Sequence, residues 1–223
     1  MLRKLYPYRF ELLFVSQILI LFGSLFFPLG FYEVFLSPII FILNLLASVI
    51  LFLENKTKMW MVITLLIVAI FCFGIDVFKI SFDDSFTFLH LGTFFLFYIL
   101  LTVELVGQVW SAKRVGKNVI LGLISGYISL GLLGFFICMI IEMATPGSFS
   151  TILESSLAGA PPVEKLIYYS YITLMTIGYG EIVPLTTMAR KASIFIGLMG
   201  QIYSVILTAI IVGKYISQRT VLK

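Results

Sequence analysis

Five consecutive residues, Thr176-Ile177-Gly178-Tyr179-Gly180, carry the most specific chemistry in the chain. Glycine at alternate positions reaches positive φ without steric penalty. A segment of this kind turns successive carbonyl oxygens to one side, which an ordinary strand cannot do, and the Thr176 hydroxyl adds one more oxygen at its inner end. Stacked oxygens replace the water around a cation. Nothing comparable points to covalent chemistry. His90 is the sole histidine and stands alone, and no carboxylate pair sits at a catalytic spacing. No enzyme activity and no cofactor are expected. Cys72 and Cys138 fall singly in apolar segments, which gives neither a metal spacing nor a disulfide framework.

The elements that must position this segment can be read on either side of it. Pro161 and Pro162 suit the entry to a helix, where a missing N–H costs least. Glu164 then complements the helix dipole in the first turn. The apolar stretch over about 163–175 is too short to span a bilayer, so it predicts a re-entrant helix. Its negative C-terminal end would point toward the membrane centre and favour a cation there. Irregular backbone at that depth is tolerated only where it is buried or lines a water-filled path.

Six further segments reach spanning length, at roughly 11–31, 34–53, 59–78, 88–110, 118–141 and 190–216. Hydrophobic residues make up 61% of the 223 and charged residues only 12%, against about 25% in soluble domains. The expected fold class is therefore an all-α membrane protein. The basic start before the first segment is not followed by a small-residue cleavage site, so that segment reads as an uncleaved membrane helix. Lys and Arg divide unevenly between the loops. Eleven lie on one side, including Arg3, Arg9, Lys56, Lys58, Arg114 and Lys117, and Lys79, Lys165, Arg190 and Lys191 lie on the other. Both termini are thus expected in the cytoplasm. This asymmetry accounts for the net charge of +4 without any nucleic-acid partner. The basic run Lys113-Arg114-Val115-Gly116-Lys117 separates a four-helix front half, 1–112, from a back half, 118–223, with 113–117 as a cytoplasmic linker.

The span Tyr168–Thr186 resembles the pore loop of the potassium-channel superfamily, whose filter reads TxGYG followed by an acidic residue; here it reads TIGYG followed by Glu181. The oxygen rings of such filters are the standard instance of this ion chemistry. The resemblance implies six transmembrane helices, one pore helix and a selectivity filter, assembled as a C4 homotetramer. K+ would be held at Thr176, Ile177, Gly178 and Tyr179, with lipids as the other partner. Tyr168 and Tyr169 stand where the family often has two tryptophans. Gly200 falls where inner helices of the family carry a gating hinge; close helix packing is the other reading of that glycine.

In the last segment Gln201, Ser204 and Thr208 are spaced three and four apart and share one face. A polar stripe in lipid faces a cavity or another helix; cavity lining is the expected role of these three, and an interhelical seam is the alternative. The outline resembles small bacterial six-helix channels of the voltage-gated type. However, Thr87–Trp110 carries no Lys or Arg, so steep voltage dependence has no source. The front half is expected to be a non-sensing scaffold. Glu104 is read either as a functional intramembrane carboxylate or as snorkelling toward Lys113 or Arg114. Asp76 and His90 are expected at the outer interface, and Asp83 and Asp84 in an outer loop. The expectation is a multi-pass plasma-membrane channel, in the bacterial inner membrane, conducting K+ passively. A non-selective cation channel, a transporter or a non-conducting regulatory subunit are the alternatives.

Overall fold

The computed structural model describes residues 4–28, 31–77, 84–112, 114–150 and 163–221. The described residues are helical, apart from connecting turns and one isolated bridge between Phe149 and Pro184. The α-helices are α1 (Arg9–Phe22), α2 (Ser37–Val49), α3 (Lys56–Val77), α4 (Asp84–Ser111), α5 (Lys117–Ala144), α6 (Val163–Leu174) and α7 (Thr187–Val221). Among them four stretches are long and apolar enough to cross a membrane: Tyr6–Leu25, Phe88–Ser111, Lys117–Ala144 and Thr187–Ile216. Ser37–Phe52 is apolar but shorter.

Local chemistry sets where these helices begin and change pitch. A π-helical turn over Tyr32–Leu36 leads into α2, whose first turn contains Pro38. Proline donates no N–H and crowds the carbonyl four residues back, so the backbone widens at that step. The Asn55 side chain accepts the Lys58 N–H at 3.2 Å and caps α3. Thr186 does the same for α7, accepting the Ala189 N–H at 3.2 Å. Asp84, expected in a loop, is the first residue of α4, whereas Asp83 and the side chain of Asp76 lie outside the described residues.

The chain divides into two compact units, Met1–Ala112 with Gly116–Gly126, and Lys113–Val115 with Tyr127–Lys223. One boundary between them falls inside α5, because the first turns of α5 pack with α1. A Cβ on Gly122 would come within 2.8 Å of the Phe10 ring. Lys117 pairs with Glu11 at 2.6 Å.

In the first unit the core gathers Leu13, Leu45, Phe97, Leu101 and Leu105, all with no exposed surface. Threaded through it is a polar chain. The Tyr98 hydroxyl donates to Asn44 Oδ1 at 2.9 Å, Asn44 Nδ2 donates to Ser16 Oγ at 2.9 Å, and Ser48 Oγ donates to the Asn44 carbonyl at 2.6 Å. Buried polar groups in an apolar medium must find partners, and these find each other. At one end of the same unit Glu104 accepts from Lys58 Nζ at 2.7 Å and from Gln108 Nε2 at 3.0 Å. Gln108 in turn accepts from Arg9 at 3.2 Å. The partner of Glu104 is therefore Lys58, at the start of α3.

Candidate functional site

The second unit places α6 between α5 and α7. Hydrogen bonds tie it to its neighbours. Ser170 Oγ donates to the Gly131 carbonyl at 2.9 Å, and the Tyr171 hydroxyl donates to the Ile128 carbonyl at 2.6 Å, both on α5. Tyr169 and Ser193 of α7 share a hydroxyl–hydroxyl bond of 2.6 Å. Small residues allow this approach. A Cβ on Gly131 would stand 2.2 Å from the Tyr171 ring.

The five-residue motif leaves the end of α6 directly. Ile177 N–H and Gly178 N–H both donate to the Ile172 carbonyl, at 2.8 and 3.3 Å, and Thr176 N–H donates to Thr173 at 3.0 Å. The last turn of the helix thus hands its carbonyls to the segment. Thr176, Gly178 and Gly180 have φ of +58°, +57° and +93°, whereas Ile177 and Tyr179 between them do not have positive φ. Alternation of this kind is what turns neighbouring carbonyls to a common side. Glycine takes such angles at no cost, but Thr176 is β-branched and strained there. Backbone strain at a non-glycine residue persists only where the surroundings over-determine it, and it concentrates at functional sites. All five residues are exposed.

Beyond the motif the chain is fixed again from outside. The Tyr168 hydroxyl donates to Glu181 Oε1, which ties α6 to the residue after Gly180. That bond, more than desolvation, pushes the Tyr168 phenol up to about 12. Further along, Leu185 N–H donates to Ser148 at 2.7 Å and Ser150 N–H to Val183 at 3.0 Å. The loop carrying Ser148 and Ser150 is held by Glu142. This buried carboxylate accepts from the Gly147 N–H at 2.8 Å and the Phe149 N–H at 3.2 Å.

On α7 the packed face is Ile196, Gly200, Tyr203 and Leu207, all buried. At about 100° per residue they occupy a sector of about 60°. Gln201, Ser204 and Thr208 are exposed and occupy the adjoining sector of similar width. Ile202, Val205 and Ile206 are exposed as well, so exposure alone does not single out the polar stripe. Gly200 faces the end of α6: a Cβ there would lie 2.0 Å from the Leu174 carbonyl oxygen. His90 belongs to the first unit, on α4, with its ring 5.2 Å from that of Phe94.

Several parts of this arrangement lie outside the residues that motif and spacing point to. Glu142, Tyr127, Ser170 and Ser193 were not among the expected site residues. Glu142 did carry one usable clue, a carboxylate at the end of an apolar run followed by Pro146-Gly147.

Residues 136–217, from within α5 to within α7, match the protein family described as ion channel. No curated protein and no solved structure matches the chain. The matched span contains α6, the strained five-residue segment and the packed and polar faces of α7, and it supports an ion-channel domain in a membrane-embedded protein.

Proposed function

We propose that this protein is a potassium-selective channel that conducts K+ passively through a homotetramer, with Thr176, Ile177, Gly178, Tyr179 and Gly180 as its filter. The observation that carries the reading is the alternation of φ at Thr176, Gly178 and Gly180 directly after a short helix whose C-terminus leads into them. Four such segments around one axis make rings of oxygens that substitute for a hydration shell. Below them Gln201, Ser204 and Thr208 line a water-filled cavity. The first unit, with α1 to α4 and the start of α5, is a scaffold of four transmembrane segments lacking sensor charges. Voltage dependence is accordingly weak, because each elementary charge crossing 100 mV contributes about 2.3 kcal/mol and α4 supplies no Lys or Arg. Both termini lie in the cytoplasm of a plasma-membrane protein.

The purified protein in a planar bilayer tests this. Discrete single-channel currents carried by K+ are expected, at a flux far above the turnover of a carrier. Transport that saturates at carrier rates, or no current from the protein alone, would contradict it.

A further inference from the structure

Gly200 is the position on α7 where an added side chain meets backbone. Its Cβ would lie 2.0 Å from the Leu174 oxygen, 2.9 Å from the Leu174 carbonyl carbon and 3.1 Å from Leu174 Cδ1. Real contacts of this kind stay beyond 3.0 Å, so the carbonyl would have to retreat by at least 1.0 Å. A flexible side chain could rotate away, but the backbone of the last turn of α6 cannot. The other described glycines of α7 differ. Gly197 leaves 3.7 Å to the Thr173 oxygen, which is room for a methyl, and Gly213 has nothing within 4 Å.

The position of Leu174 makes this contact consequential. It lies two residues before Thr176, in the turn whose Ile172 carbonyl takes the Ile177 and Gly178 N–H groups. The same Leu174 oxygen is approached from α5 by the Tyr127 hydroxyl at 3.5 Å. The Tyr127 ring meets the Tyr203 ring, one turn after Gly200, at 5.6 Å between centroids. The C-terminus of α6 is thus seated between a tyrosine of α5 and a notch in α7. Packed protein transmits displacements of this size instead of absorbing them. Meanwhile α7 runs as one unbroken helix through Gly200.

We infer that Gly200 is a notch that seats the Leu174 carbonyl and so positions the filter, and that its small size, not its flexibility, is what ion selection requires. This rests on the filter reading proposed above. Gly200 is here a positioning residue. The family's hinge assignment for that position predicts a different phenotype, and the two can be separated.

The experiment uses the full-length tetramer in bilayers, with three single variants (Gly200→Ala, Gly197→Ala and Gly213→Ala) and the double variant Gly200→Ala with Ile202→Gly. Ile202 is 55% exposed, so the double variant returns a glycine to the same turn of α7 without reopening the notch. Two quantities are read. One is the K+ to Na+ permeability ratio from reversal potentials. The other is the rate at which a cysteine at Thr208 reacts with a thiol reagent applied from the cytoplasmic side. The notch account expects Gly200→Ala to lose at least about tenfold in permeability ratio, with the cysteine rate within about twofold of wild type. The double variant should show the same defect, and Gly197→Ala and Gly213→Ala should select normally.

Failure of Gly200→Ala to assemble, shared by the double variant but not by Gly197→Ala, supports the notch equally, since alanine is the better helix former. A Gly200→Ala channel that selects normally overturns the inference. So does one whose cysteine reaction slows and is restored by Ile202→Gly. A wild-type channel that does not distinguish K+ from Na+ would instead remove the filter reading itself.

Discussion

The two units handle the same problem, polar groups in an apolar surrounding, in opposite ways. In the first, Ser16, Asn44, Ser48 and Tyr98 direct their hydrogen bonds to one another and to backbone, and all four are buried. In the second, the five-residue segment and the stripe Gln201, Ser204 and Thr208 are exposed. Backbone geometry differs in the same sense. Every positive φ among the described residues falls in the second unit, at Gly147, Thr176, Gly178 and Gly180. A closed polar network holds helices together, whereas the exposed, strained segment is the part that the proposed reading assigns to ion binding. Substitutions in the first unit should therefore change how much protein survives, and those in the second what the protein does.

The largest effect is expected at Gly178. Its φ of +57° costs an alanine about 1–2 kcal/mol, a cost that the proposed tetramer would carry four times. Gly178→Ala should abolish conduction or ion discrimination, as read from single-channel records. An unchanged conductance would dissolve the contrast between the units.

Asn44→Leu should come next and act differently. It strands the Tyr98 hydroxyl and removes the partner of Ser16, and each buried group left unpaired costs about 1–3 kcal/mol. Thermal unfolding in detergent should shift down by several degrees while the surviving channels keep their reversal potential. Altered selectivity in this variant would mean that the first unit is more than a scaffold.

A smaller effect is expected at Tyr168, where the sign of the pH dependence follows from its bond to Glu181. A phenol raised from 10.0 to about 12 holds its proton more tightly when folded. Its contribution is complete below pH 10 and is lost as pH rises through about 12. Current should therefore be indifferent to pH through the neutral range on this account. Tyr168→Phe should shorten open times at neutral pH and remove the additional change above pH 10.

The smallest effects should be in the charged cluster of the first unit. Lys58 and Glu104 pair at 2.7 Å with the lysine side chain 47% exposed, which is worth at most about 1 kcal/mol. Lys58→Met should barely move stability, and the conductance–voltage curve should stay shallow. A steep curve would place gating charge where the sequence shows none.

Much of the candidate site was legible because its signals are local. The short apolar run over about 163–175 is observed as Val163–Leu174, and alternate glycines mark where φ turns positive. The spacing of Gln201, Ser204 and Thr208 also needs only the helical period. What could not be read depends on which residues meet across distance. The partner of Glu104 proved to be Lys58, 46 positions away, and Gly200 meets Leu174 because α6 and α7 pack together. Thr176 illustrates a third kind of miss. Its residue type argues against positive φ, so the strain becomes visible only when the backbone is fixed on both sides. The division of α5 at Gly126 likewise arises from packing, which periodicity does not encode.

Reversal potentials of the wild-type protein, with K+ on one side of a bilayer and Na+ at equal concentration on the other, test the central claim most directly. A potassium filter at Thr176–Gly180 predicts a potential displaced toward K+ equilibrium by about 59 mV for each tenfold in permeability ratio, and by more than one such step. A potential near zero would show that these five residues do not select potassium, and the chain would be a cation pathway of another kind.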